Sequence, residues 1–148
     1  MAGTTYSFLN VQAAITGPGG SFNIGQGAGV TDEGITIEPT GDKNTMTIGA
    51  DGSGMHSLHA DKSGNITVRL LKTSPTNAML MGMYTLQTAS AALHGQNVIT
   101  VTNMASGDTF SCTGVAFKRR PTQTYAKDGQ FTEWQFSAIS IDGILGTY

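Results

Sequence analysis

Short runs of alternating apolar and polar residues, separated by glycine-rich turns, dominate the chain. Period two is the spacing of a half-buried β-strand. One form recurs four times, as Ile35-Thr36-Ile37, Met46-Thr47-Ile48, Ile66-Thr67-Val68 and Ile99-Thr100-Val101. Each triplet sets two apolar side chains on one face of a strand and a hydroxyl on the other, and β-branched residues suit the pleat. The flanks differ, so the triplets read as four strands and not as a sequence repeat. Leu9, Val11, Ala13 and Ile15 fall on one strand face. Gly17-Pro18-Gly19-Gly20 then turns the chain into the alternation of Phe22 and Ile24, a hairpin signal. Residues 40–54 mix Gly, Asp, Lys and Asn around Met46 to Ile48 and read as a long excursion, a projecting hairpin. Later strands are expected over residues 109–119 and 133–141. There Trp134 and Phe136 share one face and Ile139 and Ile141 the other, a change of phase near Ala138 that signals a bulge or a strand buried on both faces.

One helix is signalled, over residues 75–94. Ser74 is a candidate N-cap, Pro75 suits the first helical position, and Gly95 can end the helix in a left-handed cap. Met79, Met83, Leu86, Ser90 and Leu93 lie at helical spacing between them. No Asp, Glu, Lys or Arg occurs in residues 73–107, so this helix lacks the charged outer face of an ordinary surface helix. Two arrangements satisfy that: a helix tucked inside a larger sandwich, or one packed on a neighbouring subunit. A chain this short can hardly cover a helix on all sides, which favours the subunit contact, with Met79, Met83, Tyr84 and Leu86 as its residues.

Composition sharpens this picture. The 148 residues suit one domain, 1–148. Charged residues make up only 12%, against roughly a quarter in ordinary soluble domains. The place of charges is taken by Gly, Thr, Ser, Ala, Asn and Gln rather than by apolar residues, which are 39%. A net charge of −2 and a single cysteine argue against a basic nucleic-acid binder, a charged disordered tail and a disulfide scaffold, and no segment reads as a membrane span. A surface largely covered by other copies of the chain would need few charges. The first residues show neither a basic nor an apolar leader region, so no signal peptide is expected.

Catalytic and ligand-binding patterns are weak. Gly17 to Ser21 lacks the Lys-Ser/Thr ending of a phosphate loop, and Gly25 to Val30 lacks the last glycine of a dinucleotide fingerprint. His56 and His59 are three apart in a segment read as loop and strand, where that spacing puts them on opposite faces. Cys112 alternates as a small apolar residue would and reads as a buried structural thiol. Glu33, Glu38 and Glu133 show no paired-carboxylate logic. No enzyme, cofactor or metal is therefore expected. Lys118-Arg119-Arg120-Pro121 is the one dense charge run, without the interleaved aromatics of a single-strand binder. It reads as a solvated rim or as the salt-bridge partner of a neighbour's acids.

Three stretches carry a resemblance: residues 43–52 (Lys-Asn-Thr-Met-Thr-Ile-Gly-Ala-Asp-Gly), Met55-His56-Ser57, and Val68-Arg69-Leu70-Leu71-Lys72-Thr73-Ser74-Pro75. With Trp134-Gln135-Phe136 and the closing glycines, the chain resembles the tail tube proteins of contractile-tailed bacteriophages, which are similar in fold to the tube protein of type VI secretion systems. The resemblance implies a mainly β fold, a two-sheet sandwich or barrel with one flanking helix. It also implies homohexameric rings that stack into the inner tube of the tail, through which DNA passes without specific binding. The sheath protein would lie outside the tube and baseplate and tail-terminator proteins at its ends, in a virion assembled in the bacterial cytoplasm. A projecting loop, residues 39–57, would reach the adjacent ring through Asp42, Lys43, Asn44, Met46, Asp51, Gly52, Gly54 and His56. Alternation makes Thr36, Glu38, Thr67, Gln135 and Ser137 the candidate lumen positions, although Arg69 shares the Thr67 face and fits a DNA conduit only if it is paired. Lys118, Arg120, Lys127 and Asp128 are candidates for contact with the sheath. The competing reading is a monomeric or small-oligomer β-sandwich binding or decoration module. Such modules often present rows of exposed aromatics, and aromatics here are only 7%.

Overall fold

The structure, a computed structural model, describes residues 5–27 and 29–148, with the backbone alone at residues 31–33. Every apolar-Thr-apolar triplet lies in a strand of it. The strands are β1 (Val11–Gly17), β2 (Gly20–Asn23), β3 (Val30–Pro39), β4 (Asn44–Ile48), β5 (Gly54–Leu58), β6 (Gly64–Leu71), β7 (Asn97–Asn103), β8 (Asp108–Phe117) and β9 (Phe131–Ile144). The helix α1 (Thr76–Thr88) connects β6 to β7. Seven strands form one antiparallel sheet in the order β2-β1-β7-β8-β9-β6-β3, and β4 pairs only with β5. The fold is thus mainly β with one flanking helix, but its layers come from one sheet curled over itself. The fold-over is visible where Ile35 and Ile37 of β3 line the same cleft as Val11, Val101 and Phe110 of β1, β7 and β8. The sheet does not close into a barrel, because β2 and β3 remain its edges.

The pivot is β9. Its first half pairs with β6, from Leu71 opposite Phe131 to Gly64 opposite Ala138, and its second half with β8, from Phe117 opposite Phe136 to Thr109 opposite Ile144. Alternation slips where the sheet bends. Cys112 and Val115, three apart, are both buried, and so are Ala138 and the inner side of Ile141. Gly114 takes a left-handed φ of +63° at the slip, and the β7–β8 register shifts beside it. Ile139 lies directly over Gly114, 74% exposed on the outer side. The phase change read near Ala138 is therefore present, matched by a bulge in β8, but Ile139 and Ile141 do not share a face: Ile139 points outward, while the slip turns Ile141, opposite Cys112, onto the core. The core fills the fold-over with Ile15, Ile66, Val68, Leu70, Ile99, Val115, Phe117, Trp134 and Phe136. The rings of Phe117, Trp134 and Phe136 stack within it in tilted and edge-on contacts.

Three details differ from the sequence expectation. Leu9 is not on the β1 face: it sits 73% exposed in a 3-10 turn (Phe8–Asn10) that precedes the strand. The helix stops at Thr88 instead of running to residue 94. Ser90 ends it by starting a separate turn, its hydroxyl accepting from the Ala92 N–H and its carbonyl from the Leu93 N–H. The buried stripe of α1 is Thr76, Leu80, Met83 and Gln87 rather than the methionine–leucine row. Gln87 can face inward because its amide is satisfied: its nitrogen donates to Pro18 O and Asn97 Oδ1, and its oxygen accepts from Asn97 Nδ2, at 2.7–2.8 Å. Ser74 does act at the helix start, accepting from the Thr76 N–H at 3.3 Å. The helix covers the end of the sheet remote from the β4–β5 hairpin, touching Trp134 through Asn77, Phe117 through Tyr84, and the Pro18-Gly19 turn through Gln87 and Met83. No helix among the described residues is long and apolar enough to cross a membrane.

Candidate functional site

The face of β3, β6 and β9 opposite the core is a polar lane. Core residues Ile66, Val68, Trp134 and Phe136 alternate with it along the strands. Register places Thr36 beside Thr67 and Thr67 beside Gln135 in one row; Glu38, Asn65 and Ser137 form the next. All five residues selected by alternation thus share one surface. Arg69 stands in the adjoining row opposite Glu133, and its Nε donates to Glu133 Oε2 at 2.9 Å. The second carboxylate oxygen of Glu133 accepts from Gln135 Nε2 at 2.6 Å, and Arg119 Nη2 donates to Gln135 Oε1 at 3.2 Å. The Gln135 hydrogen bond, then the Arg69 and Arg119 charges, hold the Glu133 carboxyl below its usual pKa, against the opposing effect of partial burial. The cation that looked out of place in the sequence is thus paired with Glu133, in a cluster that also holds Arg119 through Gln135.

The hairpin β4–β5 projects from the end of the sheet where β3 ends and β6 begins. Asn44 to Ile48 is exposed throughout, as are Gly54, Met55, His56 and Leu58. No strand or helix of the described residues packs on it beyond marginal contact. Its strands are stitched by side chains as well as backbone: Asn44 to His56 at 3.1 Å, Thr45 to His59 at 2.7 Å, and Lys43 Nζ to the His59 carbonyl at 3.1 Å. Both histidines are therefore engaged across the hairpin, and among the described residues no three His, Cys, Asp or Glu side chains gather as a metal site. At the tip, Gly52 takes φ +90° and Asp51 accepts from the hydroxyl and the backbone N–H of Ser53, which lowers its carboxyl pKa. Asp42, Lys43, Met46, Gly52 and Gly54 are also exposed along this element.

The helix residues divide. Met79 and Leu86 are exposed on its outer side, whereas Met83 is 1% exposed in the core. Met83 is thus not a surface contact, since its position puts it on the Leu80–Gln87 stripe. Tyr84 is half-buried between Phe117, with ring centres 5.6 Å apart, and the Arg120 guanidinium at 5.6 Å. Lys118, Arg120, Lys127 and Asp128 lie exposed in the segment joining β8 to β9. Sequence reasoning missed Lys72. Its ammonium donates to the Thr124 carbonyl at 2.9 Å and to Gln123 at 3.3 Å and stands over the Tyr125 ring, pinning that segment. Those partners are some fifty residues away, so no local signal could have found them. Cys112 is fully buried, as read, and burial pushes its thiol up to about 11.

Residues 3–146 match the family model described as the bacteriophage PhiTE tail tube protein. No curated protein matches the chain. Among solved structures it resembles a chain of the anti-feeding prophage baseplate, with a TM-score of 0.61 at 10% identity over 97% of each chain. It also resembles a chain of the sheath–tube complex of PVC, an extracellular contractile injection system, in its extended state, with a TM-score of 0.58 at 11% identity over 98% of this chain and 93% of that one. A chain of the tube-terminating cap of the anti-feeding prophage follows, with a TM-score of 0.54 at 13% identity over 99% of this chain and 96% of that one. At such identities the likeness is one of fold. The family match, which spans nearly the whole chain, carries the assignment: this chain belongs to the PhiTE-type phage tail tube family, whose members are structural components of the virion tail and not enzymes.

Proposed function

We propose that the chain assembles into homohexameric rings that stack as the inner tube of a contractile phage tail and form the conduit for DNA ejection. The observation that carries this reading is the polar lane of β3, β6 and β9 on a sheet with two open edges. An open edge presents unpaired backbone groups that a neighbouring strand can complete, and a ring of copies removes every edge. In such a ring Thr36, Glu38, Thr67, Gln135 and Ser137 line the lumen. A wall of hydroxyls, amides and acids stays wet and does not hold phosphates, whereas each available Lys or Arg would add affinity for the DNA backbone. The Arg69–Glu133 ion pair supports this, since it offsets the Arg69 charge on that face.

The charge-free outer side of α1, with Met79 and Leu86, then packs on the adjacent subunit, and the hairpin reaches the adjacent ring. Sheath protein surrounds the tube, in contact with Lys118, Arg120, Lys127 and Asp128, and baseplate and terminator proteins close its ends. The similar structures support such partners, since they come from a sheath–tube complex, a baseplate and a tube-terminating cap. Assembly takes place in the bacterial cytoplasm. Electron microscopy of the purified, concentrated protein tests the proposal: rings or tubes of uniform bore are expected. A particle that stays monomeric at high concentration and binds glycans would overturn it in favour of a binding module.

A further inference from the structure

Asp is followed directly by Gly three times, at Asp51-Gly52, Asp128-Gly129 and Asp142-Gly143. Such a pair can react with itself. The Gly amide nitrogen attacks the side-chain carboxyl carbon of the Asp, the carboxyl hydroxyl and the amide proton leave together as water, and a succinimide ring closes. Water then opens the ring. Addition at the former main-chain carbonyl breaks its bond to nitrogen and leaves the chain running through Cβ and Cγ, a β-aspartyl linkage of unchanged mass. Gly favours the first step because no Cβ shields its nitrogen and its backbone turns freely. The carboxyl must also be free to swing toward that nitrogen, and the backbone between them free to rotate.

The fold treats the three pairs differently. Asp51 accepts from the hydroxyl and the backbone N–H of Ser53, and the Gly52 N–H donates to the Gly49 carbonyl at 3.0 Å. Both reacting groups are thus engaged. The Ser53 bonds also hold the Asp51 carboxyl below its usual pKa, in the ionised form that has no hydroxyl to lose. Asp142 and Gly143 lie inside β9, opposite Ser111 and Phe110 of β8, where the strand backbone is extended, and Lys62 is 3.6 Å from the Asp142 carboxylate. Asp128-Gly129 has neither restraint. It lies in the segment joining β8 to β9. That segment is fastened on one side by the Lys72 ammonium at Gln123, Thr124 and Tyr125, and on the other by the Lys72 N–H, which donates to the Gln130 carbonyl at 3.2 Å. Residues 126–129 between the fastenings are exposed. Among the described residues neither the Asp128 carboxylate nor the Gly129 N–H makes a hydrogen bond.

We propose that Asp128-Gly129 is a self-modification site: in the folded chain Asp128 converts through the succinimide to a β-aspartyl residue, while Asp51 and Asp142 are held back. The reaction needs no reagent but water and no partner, so it belongs to the chain with or without rings and sheath. The product adds one carbon to the main chain and moves the carboxylate directly onto Cα, in the segment that Lys72 pins. The class of reaction that consumes this product is carboxyl methylation by an S-adenosylmethionine-dependent methyltransferase. The methyl ester then loses methanol to the neighbouring amide nitrogen and closes the succinimide again.

The test ages the full native chain at body temperature and mildly acidic pH, digests it, and measures β-aspartyl carboxylates in each peptide by enzymatic methyl transfer. The Asp128 peptide is expected to gain them about tenfold faster than the Asp51 and Asp142 peptides, the factor expected where a hydrogen bond must break first. Gly129→Ala is the matching variant, since a Cβ at Gly129 meets nothing within 4 Å. It should keep the melting temperature and slow the gain about tenfold, because the added Cβ shields the nitrogen. In urea, where the fold no longer restrains any of them, the three wild-type peptides should gain at similar rates. Equal gain at Asp51 or Asp142 in the native chain, an unchanged rate in Gly129→Ala, or the same ranking in urea as in the fold would each refute the proposal.

Discussion

Gln87 and Asn97 show how one residue choice decides a helix orientation. Their amides exchange two hydrogen bonds in a fully buried setting, and Pro18 supplies a third partner. Asn97→Ala should destabilise the fold by about 1–3 kcal/mol, because it strands a buried amide. Replacing both amides by Leu should cost less than the two single changes added, as urea unfolding would measure; strict additivity would refute the pairing. Glu133 makes a pH-dependent contribution. Its carboxyl pKa in the fold lies below the ordinary 4.5, so the ionised form is favoured by folding. That stabilisation is present above pH 4.5 and is lost as pH falls through the lower folded value. The melting-temperature gap between wild type and Glu133→Gln should therefore be open at pH 7 and shrink at strongly acidic pH. A gap that stays constant would mean that the Glu133 charge plays no part. Alternation alone put Arg69 on the same face as Thr67, but its partner stands sixty-four positions away on a neighbouring strand. A face can be read from one strand, whereas a cross-strand neighbour requires the register.

At the scale of elements, the strands were legible because period-two patterning and Gly-rich turns are local. The four Thr-centred triplets, the Pro18-Gly19 turn and the projecting hairpin all stand where the pattern put them. The helix was legible at its start, where Ser74 and Pro75 act locally, and not at its end, where Ser90 competes for the backbone. Its inward stripe was not legible either, since Gln87 reads as an outward residue until Asn97 is brought beside it. The bend depends on Gly114. Gly114→Ala should destabilise by about 1–2 kcal/mol, because a Cβ at φ +63° meets its own carbonyl and Ile139 besides. An unchanged melting temperature would count against this account of the bulge. Deleting residues 42–54 should leave the melting curve near that of the full chain, because the hairpin packs on no other element, and should abolish tubes. Tubes formed by the deleted chain would exclude the hairpin from stacking.

At the scale of the molecule, large apolar side chains remain on the surface at the end of the sheet remote from the charge-free helix. Leu9, Met104, Ile144 and Leu145 are all exposed near one end of the sheet, where Met104 bonds the Asn10 carbonyl and Gly146 bonds Asp108. Contiguous exposure of this kind marks a contact surface. Ile144→Lys with Leu145→Lys should change stability by less than about 0.5 kcal/mol yet shift the protein toward monomer in sedimentation. Undiminished association would remove these residues from the contact. The charge deficit first visible in composition now has a location: residues 73–107 hold no Asp, Glu, Lys or Arg. The sequence by itself determined the mainly β class, the single helix, the hairpin and the alternation of faces along β3, β6 and the first half of β9, because each is set by the spacing of neighbours along one chain. Only the tertiary structure decided that one open sheet makes both layers, that Met83 is core and that Arg69 is paired. Those are matters of register and fold-over, and they join residues that no local pattern connects.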